Sequence, residues 1–239
     1  MERTNQIEAL ETVVVTGAKG AVGATVARTF LEAGCQVVGA DIAVEREGEL
    51  FADEDTERLY WRHVDATDAD SVREAVADID EQFGSIDGLI NCAGGYQWSH
   101  IDDISDEELD FLIGANLRSA LLMLREVVAG MKEQGFGRIV LMSSKSTLNP
   151  GEGEGPYAST KAGLNALTRS VAEEVKPRDV TINAVQPSII DTEQNRQAMP
   201  DAEFDKWVTR EEIAEVIYRL TQPFGNPING ALIPVTGRV

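Results

Sequence analysis

The sequence predicts an α/β fold: a doubly wound parallel sheet of about seven strands in three layers, Rossmann-like in arrangement, with helices on both faces. Two observations predict it. Short β-branched or apolar runs alternate from end to end with stretches of helical period. In addition, Gly17, Asp41, Asp65, Asn91, Ser144 and Pro187 each fall at the carboxyl end of a predicted strand or just beyond it. That is the edge where an open α/β sheet binds its ligands.

The elements follow in order. Residues 12–15 are a β-branched run stopped by Gly17, as a buried parallel strand requires. Residues 20–33 carry Val22, Val26, Phe30 and Leu31 at helical spacing and stop at Gly34. Residues 36–40 form the next strand, and the acidic stretch 45–58 is expected as loop or exposed helix. A strand at 60–64 ends at Asp65, and 68–83 is an amphipathic helix with an acidic start, which its dipole favours. A strand at 86–90 runs into Asn91-Cys92-Ala93-Gly94. Ser105 caps a long helix to about residue 132, with Asp106, Glu107 and Glu108 in its first turn. A strand at 138–142 leads to Ser143 and Ser144, a Gly/Pro-rich loop spans 149–156, and a helix runs from Tyr157 to about 175. A strand at 180–185, an irregular stretch at 186–206, a helix at 211–220 and a strand at 231–235 complete the pattern.

No linker, repeat or low-complexity tract divides residues 1–239, so a single domain is expected. An apolar content of 43% supplies a large core. No apolar run reaches the roughly 18 residues of a membrane span, and the polar start does not read as a signal peptide. The net charge is −20, from 21 basic and 41 acidic residues. Such a surface argues against nucleic-acid and anionic-membrane partners. It fits adaptation to high salt, where screening removes its self-repulsion; only six of the basic residues are lysine. Cys35 and Cys92 adjoin predicted strands, where cysteine packs as a small apolar residue. No metal site is expected, and a reducing, cytoplasmic setting is.

Two motifs carry chemistry. Thr16-Gly17-Ala18-Lys19-Gly20-Ala21-Val22-Gly23 lies between the first strand and first helix. There glycines let backbone approach a pyrophosphate, with helix amides facing the anion. Asp41 follows Gly17 by 24 residues and ends the second strand. A carboxylate there accepts ribose hydroxyls and repels a 2′-phosphate, which favours NAD(H) over NADP(H). Lys19 is the counter-signal. The second motif is Ser144 with Tyr157 and Lys161. Tyr157 and Lys161 are four apart, so a helix puts them on one face. An ammonium beside a phenol favours phenolate, so the pKa of Tyr157 is expected to fall toward working pH, as a general acid or base needs. Ser144 is placed to hold a carbonyl or alcohol oxygen against that phenol.

At this point the chain, over roughly residues 12–235, resembles the short-chain dehydrogenases/reductases, a Rossmann-like family. Ser144, Tyr157 and Lys161 match the family's catalytic serine, tyrosine and lysine, including the thirteen-residue Ser-to-Tyr interval. Asn116 resembles its catalytic asparagine, which holds a water of the proton relay. The resemblance implies cofactor contacts at Gly17, Lys19, Gly20, Ala21, Val22 and Gly23, at Asp41 and Ile42, and at Asp65 and Ala66. It extends them to Asn91, Ala93 and Gly94, to Tyr157 and Lys161, and to Pro187, Ile190 and Thr192. Three positions depart from the pattern: Ala21 stands for a glycine, Ser188 for a glycine and Cys92 for an asparagine. The implied activity is hydride transfer between nicotinamide and a carbonyl or alcohol carbon, of the 3-oxoacyl thioester, sugar or small-ketone class. The implied assembly is a homotetramer or homodimer.

A narrower resemblance covers Asp191 to Phe204 with Trp207, which is similar to a stretch of the dihydropteridine reductases. A pterin reductase is therefore one alternative; a non-catalytic NAD(H)-sensing protein is another. The long stretch at about 188–207 is expected to act as a substrate lid that orders on binding. Tyr96 and Trp98, in the loop after Gly94, are expected either to stack on a planar substrate or to pack at a surface or interface. Ser143 is expected to be structural, and the acidic run from Glu45 to Glu57 a solvated face.

Overall fold

A computed structural model describes residues 10–45, 51–52 and 56–238. Among these residues are seven parallel strands: β1 (Thr12–Thr16), β2 (Gln36–Asp41), β4 (Leu59–His63), β5 (Gly88–Asn91), β6 (Phe136–Met142), β7 (Asp179–Pro187) and β8 (Leu232–Val235). An eighth, the two-residue β3 (Phe51–Ala52), pairs antiparallel to β4 at the edge. The order is β3-β4-β2-β1-β5-β6-β7-β8. The sheet grows outward in both directions from β1, so the strand order reverses between β1 and β5, and a crevice opens at the carboxyl ends there. Thr16 lies level with both Ala40 and Asn91, which brings the ends of β1, β2 and β5 to one line.

The described residues form seven α-helices: α1 (Ala21–Glu32), α2 (Ala69–Phe83), α3 (Asp106–Leu112), α4 (Ser119–Gln134), α5 (Gly155–Val175), α6 (Glu193–Ala198) and α7 (Arg210–Thr221). Alternation along each strand divides the core. Val14, Val38, Leu89, Ile139 and Ile182 face α2, α4 and α5, whereas Val13, Val15, Val37, Ile90 and Val140 face α1 and α7. On that second face Phe30 meets Tyr218 edge-on, with ring centroids 5.6 Å apart.

Three expectations change. The long helix after Ser105 is interrupted: the capping box of Ser105 and Glu108 forms, but Ile113–Arg118 is a turn of π-helix between α3 and α4. The extra residue in that turn leaves Asn116 fully buried, facing the sheet edge. The stretch expected to be irregular at 186–206 holds structure of its own. β7 runs on to Pro187, α6 is capped by Thr192, and Phe204–Lys206 form a short 3-10 turn. The base of this excursion is closed, because Ile190 bridges to Val208 and the buried Trp207 anchors its return. Finally, within 45–58, expected as loop or helix, Phe51 and Ala52 are strand; residues 46–50 and 53–55 lie outside the described residues, as does the N-terminal segment 1–9.

Candidate active site

The glycine turn forms one wall of the crevice. Gly17 has φ +65°, a conformation glycine adopts without strain, and a Cβ there would sit 2.9 Å from the Ala93 nitrogen. A Cβ on Gly23 would meet the Gly17 carbonyl oxygen at 2.1 Å, so this glycine lets α1 pack against the turn. Gly20 is the N-cap of α1 and brings no capping side chain, leaving the helix amides open toward the crevice; Ala21 and Val22 begin the helix. Thr16 ties this turn to the next. Its hydroxyl donates to Asn91 Oδ1 and accepts the Ala93 N–H, both at 3.1 Å. The Asn91 side-chain amide nitrogen is buried without a partner.

Asp41 closes the far end of the crevice. One carboxylate oxygen accepts the Lys19 N–H at 2.9 Å and the other accepts the Ala43 N–H at 2.8 Å, with exposed Ile42 between. The Lys19 ammonium lies 3.8 Å from the centroid of the Trp61 ring. Gly39 makes room for that ring, because a Cβ there would touch it at 2.5 Å. Asp65 and Ala66 follow β4, and Asp65 Oδ1 accepts both the N–H and the hydroxyl of Thr67, at 2.8 and 2.7 Å.

Beyond β5 and β6 the sheet edge brings Asn116, Ser144, Tyr157 and Lys161 together. Asn116 bonds both ways to Gly95: Oδ1 accepts its N–H at 3.0 Å and Nδ2 donates to its carbonyl at 2.9 Å. Lys161 is buried and donates to the Met142 carbonyl at 2.9 Å. Gly94 lies against both, since a Cβ there would sit 2.6 Å from Asn116 Oδ1 and 3.0 Å from Lys161 Nζ. Ser144 Oγ accepts the Ser146 N–H at 3.1 Å and lies near enough to the Tyr157 phenol to favour its ionised form. Ser143 instead donates to Asn165 Oδ1 at 2.7 Å, a structural tie from β6 to α5.

Burial sets the electrostatics. The Lys161 ammonium is pushed down from 10.5 to about 8 by loss of water, with neighbouring Cys92 acting in the opposite sense. Burial also pushes the Cys92 thiol up to about 12. The pKa of Tyr157 is raised, not lowered: burial dominates, Tyr96 and Glu154 add to it, and the Ser144 hydrogen bond opposes it. The helical spacing does put Lys161 near Tyr157, but its Nζ lies 5.9 Å from the ring centroid and is turned to the Met142 carbonyl. Desolvation of the phenol therefore prevails.

Two loops clasp over this cluster. Ser99 donates its N–H to the Gly153 carbonyl at 3.0 Å, and Trp98 Nε1 donates to the Glu152 carbonyl at 2.8 Å. Gly153, at φ +71°, lies flat under the Trp98 ring, where a Cβ would come within 2.2 Å. Tyr96 then meets Tyr157 edge-on, with centroids 4.9 Å apart. On the other side Pro187 ends β7, Ser188 hydrogen-bonds the Thr236 carbonyl at 2.8 Å, and Thr192 Oγ1 accepts the Asn195 N–H at 3.2 Å. The clasp, the Trp61 seat under Lys19 and Glu154 were not foreseen from the sequence. Glu154 precedes Tyr157 by three residues, so the helical spacing that singled out Lys161 would have found it too.

A switch-point crevice lined by glycine and closed by an acid, next to a Ser–Tyr–Lys cluster, defines a nucleotide-binding α/β oxidoreductase. The chain belongs to the short-chain dehydrogenase family, whose family model matches residues 11–203. Among its relatives is the D-beta-hydroxybutyrate dehydrogenase of Rhizobium meliloti, 28% identical over 217 residues, which are 89% of this chain and 84% of that one. The 3-oxoacyl-acyl-carrier-protein reductase FabG of Escherichia coli is 30% identical over 188 residues, 79% of this chain and 77% of that one. Among solved structures, ElxO with NADP bound superposes with a TM-score of 0.86 at 25% identity, covering 96% of this chain and 98% of that one. Among the described residues no helix is long and apolar enough to cross a membrane.

Proposed function

We propose that this chain, a single domain over residues 1–239, exchanges hydride between NAD(H) and a carbonyl or alcohol carbon, with Tyr157 as the proton donor or acceptor. The observation that carries the reading is the buried Ser144 hydroxyl and the buried Lys161 on either side of a half-buried Tyr157, next to the glycine-lined crevice. The crevice suits a dinucleotide: its glycines leave no room for Cβ atoms, and the Asn91 amide nitrogen is buried without a partner. Gly17, Lys19, Gly20, Ala21, Val22 and Gly23 would hold the pyrophosphate end, Asp41 and Ile42 the adenosine ribose, and Asp65 and Ala66 the adenine. Asn91, Ala93, Gly94, Pro187, Ile190 and Thr192 would hold the nicotinamide end. The bound cofactor supplies the hydride.

Asp41 supports NAD(H) over NADP(H), because its carboxylate would repel a 2′-phosphate, and Lys19 has its ammonium over Trp61. The proton chemistry belongs to the chain. A phenol raised by burial stays protonated at neutral pH and can protonate an alkoxide as it forms. With the Ser146 N–H on its acceptor side, Ser144 can turn the proton that favours the Tyr157 phenolate onto the substrate oxygen. Asn116 spends its side chain on Gly95 and so fixes the backbone that borders Lys161. The segment at about 188–207 acts as the lid, hinged at its bridged base. The reading extends to a cytoplasmic homo-oligomer acting on a small molecule.

The test is NADH oxidation in high-KCl buffer with a neutral 3-oxoacyl thioester and quinonoid dihydropterin side by side. Wild type is expected to turn over the thioester, and Tyr157→Phe to bind NADH yet lose turnover. Turnover of the pterin alone would instead make the 191–207 resemblance functional. Substantial activity in Tyr157→Phe would refute the role of the phenol.

A further inference from the structure

Glu154 stands at the entrance to α5, three residues before Tyr157, as the N-cap of the helix. Its carboxylate is held at both oxygens. Oε2 accepts the Gly151 N–H at 2.6 Å, and Oε1 accepts the Ser146 hydroxyl at 3.1 Å. Ser146 passes the connection on, donating its N–H to Ser144 Oγ at 3.1 Å. The carboxylate is therefore linked through a single residue to the hydroxyl that orients the reacting oxygen. Neither donor is a cation, so the negative charge is stabilised without being cancelled. Burial is the main cause of the raised pKa of both Tyr96 and Tyr157, and the field of this carboxylate adds to it in each.

Of the other charges of the site, the Lys161 ammonium is buried and bonded to the Met142 carbonyl, 5.9 Å from the Tyr157 ring centroid. Glu152 adds a second carboxylate on the same loop, 3.6 Å from His100 Nε2. Arg196, on the lid, is forked onto Asp191 at 2.6 and 2.8 Å. Lys145, next to Ser144, has a partner of its own. A substrate whose carbonyl reaches Ser144 and Tyr157 thus brings its neighbouring substituents up to a fixed carboxylate in a half-buried mouth.

We infer that Glu154 makes this site select neutral or cationic carbonyl compounds over carboxylates. The inference rests on the carbonyl-reductase reading above and narrows its substrate class. Two like charges several ångströms apart at a partly buried site repel strongly enough to lower kcat/KM by about tenfold or more. The loss should fall mainly on KM, since the repulsion opposes binding before any bond changes.

Three ketones that differ mainly in charge test it: acetoacetate, its ethyl ester and acetonyltrimethylammonium. kcat and KM are measured with whichever of NADH and NADPH wild type uses faster, for wild type, Glu154→Gln and Glu154→Asp. Wild type should prefer the ester to acetoacetate by about tenfold or more. Glu154→Gln, whose amide oxygen can accept the Gly151 N–H while its NH2 donates to the Ser146 hydroxyl, should cut that ratio to about threefold or less and weaken use of the cationic ketone. Glu154→Asp, which keeps the charge, should retain the discrimination. A wild-type enzyme that takes acetoacetate as readily as its ester overturns the inference without help from any variant. So does an ester-to-acetoacetate ratio unmoved by Glu154→Gln. Turnover of none of the three ketones by wild type overturns the carbonyl-reductase reading itself, and this inference with it.

Discussion

Replacing Lys161 with methionine should silence the protein and at the same time relieve it of a buried charge, and the relief should depend on pH in a calculable way. Burial lowers the lysine from 10.5 to about 8. At 1.36 kcal/mol per unit, the folded chain spends about 3 kcal/mol holding that ammonium out of water. The sign follows from proton counts. Between pH 8 and 10.5 the unfolded chain keeps the proton that the folded chain has lost, so wild-type stability rises with pH across that window. Below the window the penalty is complete, and above it the penalty is gone. Methionine has similar bulk and no charge, but it leaves the Met142 carbonyl without its 2.9 Å partner. That loss is about 1–3 kcal/mol and does not change with pH. It cancels when two pH values are compared. The stability of Lys161→Met relative to wild type should therefore be about 2–3 kcal/mol more favourable at pH 7 than at pH 10. Urea unfolding followed by tryptophan fluorescence, at one ionic strength and both pH values, measures it. A relative stability that stays within about 0.5 kcal/mol between the two pH values would refute the reasoning, because the lysine would then titrate alike folded and unfolded.

Other outcomes are expected. Gly94→Ala should lower kcat by about a hundredfold, because its methyl group would press on Asn116 Oδ1 and Lys161 Nζ and displaces them by a fraction of an ångström or more; steady-state kinetics within threefold of wild type would contradict the packing at that glycine. Asp41→Ala should raise kcat/KM for NADPH relative to NADH by about tenfold, since it removes the charge that opposes a 2′-phosphate; an unchanged preference would remove Asp41 from cofactor choice. The melting temperature should climb with added KCl as the −20 charge is screened. A flat calorimetric response would end the high-salt reading.

What could be read from the sequence was local. Alternating β-branched runs and helical periods are imposed by backbone geometry and burial, so the order of strands and helices and the parallel sheet followed from residues a few positions apart. The Ser105 cap and the acids after it were legible for the same reason: a helix terminus is satisfied by its own nearest residues. The same holds for the Tyr157–Lys161 spacing and for the glycine turn, whose function depends on conformations that few other residues adopt.

What the tertiary structure decided came from residues far apart in the chain. The π-turn around Asn116 forms where that amide finds both hydrogen-bonding groups of Gly95, 21 positions away. No local pattern marks it. Trp98 is fixed by a carbonyl 54 positions on and by the flat face of a glycine, so the sequence left its role open. Tyr157 shows the limit most clearly. One turn of helix supplied its cationic neighbour, but its ionisation was decided by how much water the clasp, the sheet edge and Glu154 remove or oppose. Spacing along a chain fixes which groups meet. The dielectric around them, and so the strength and even the sign of what they do to each other, is a property of everything packed on all sides.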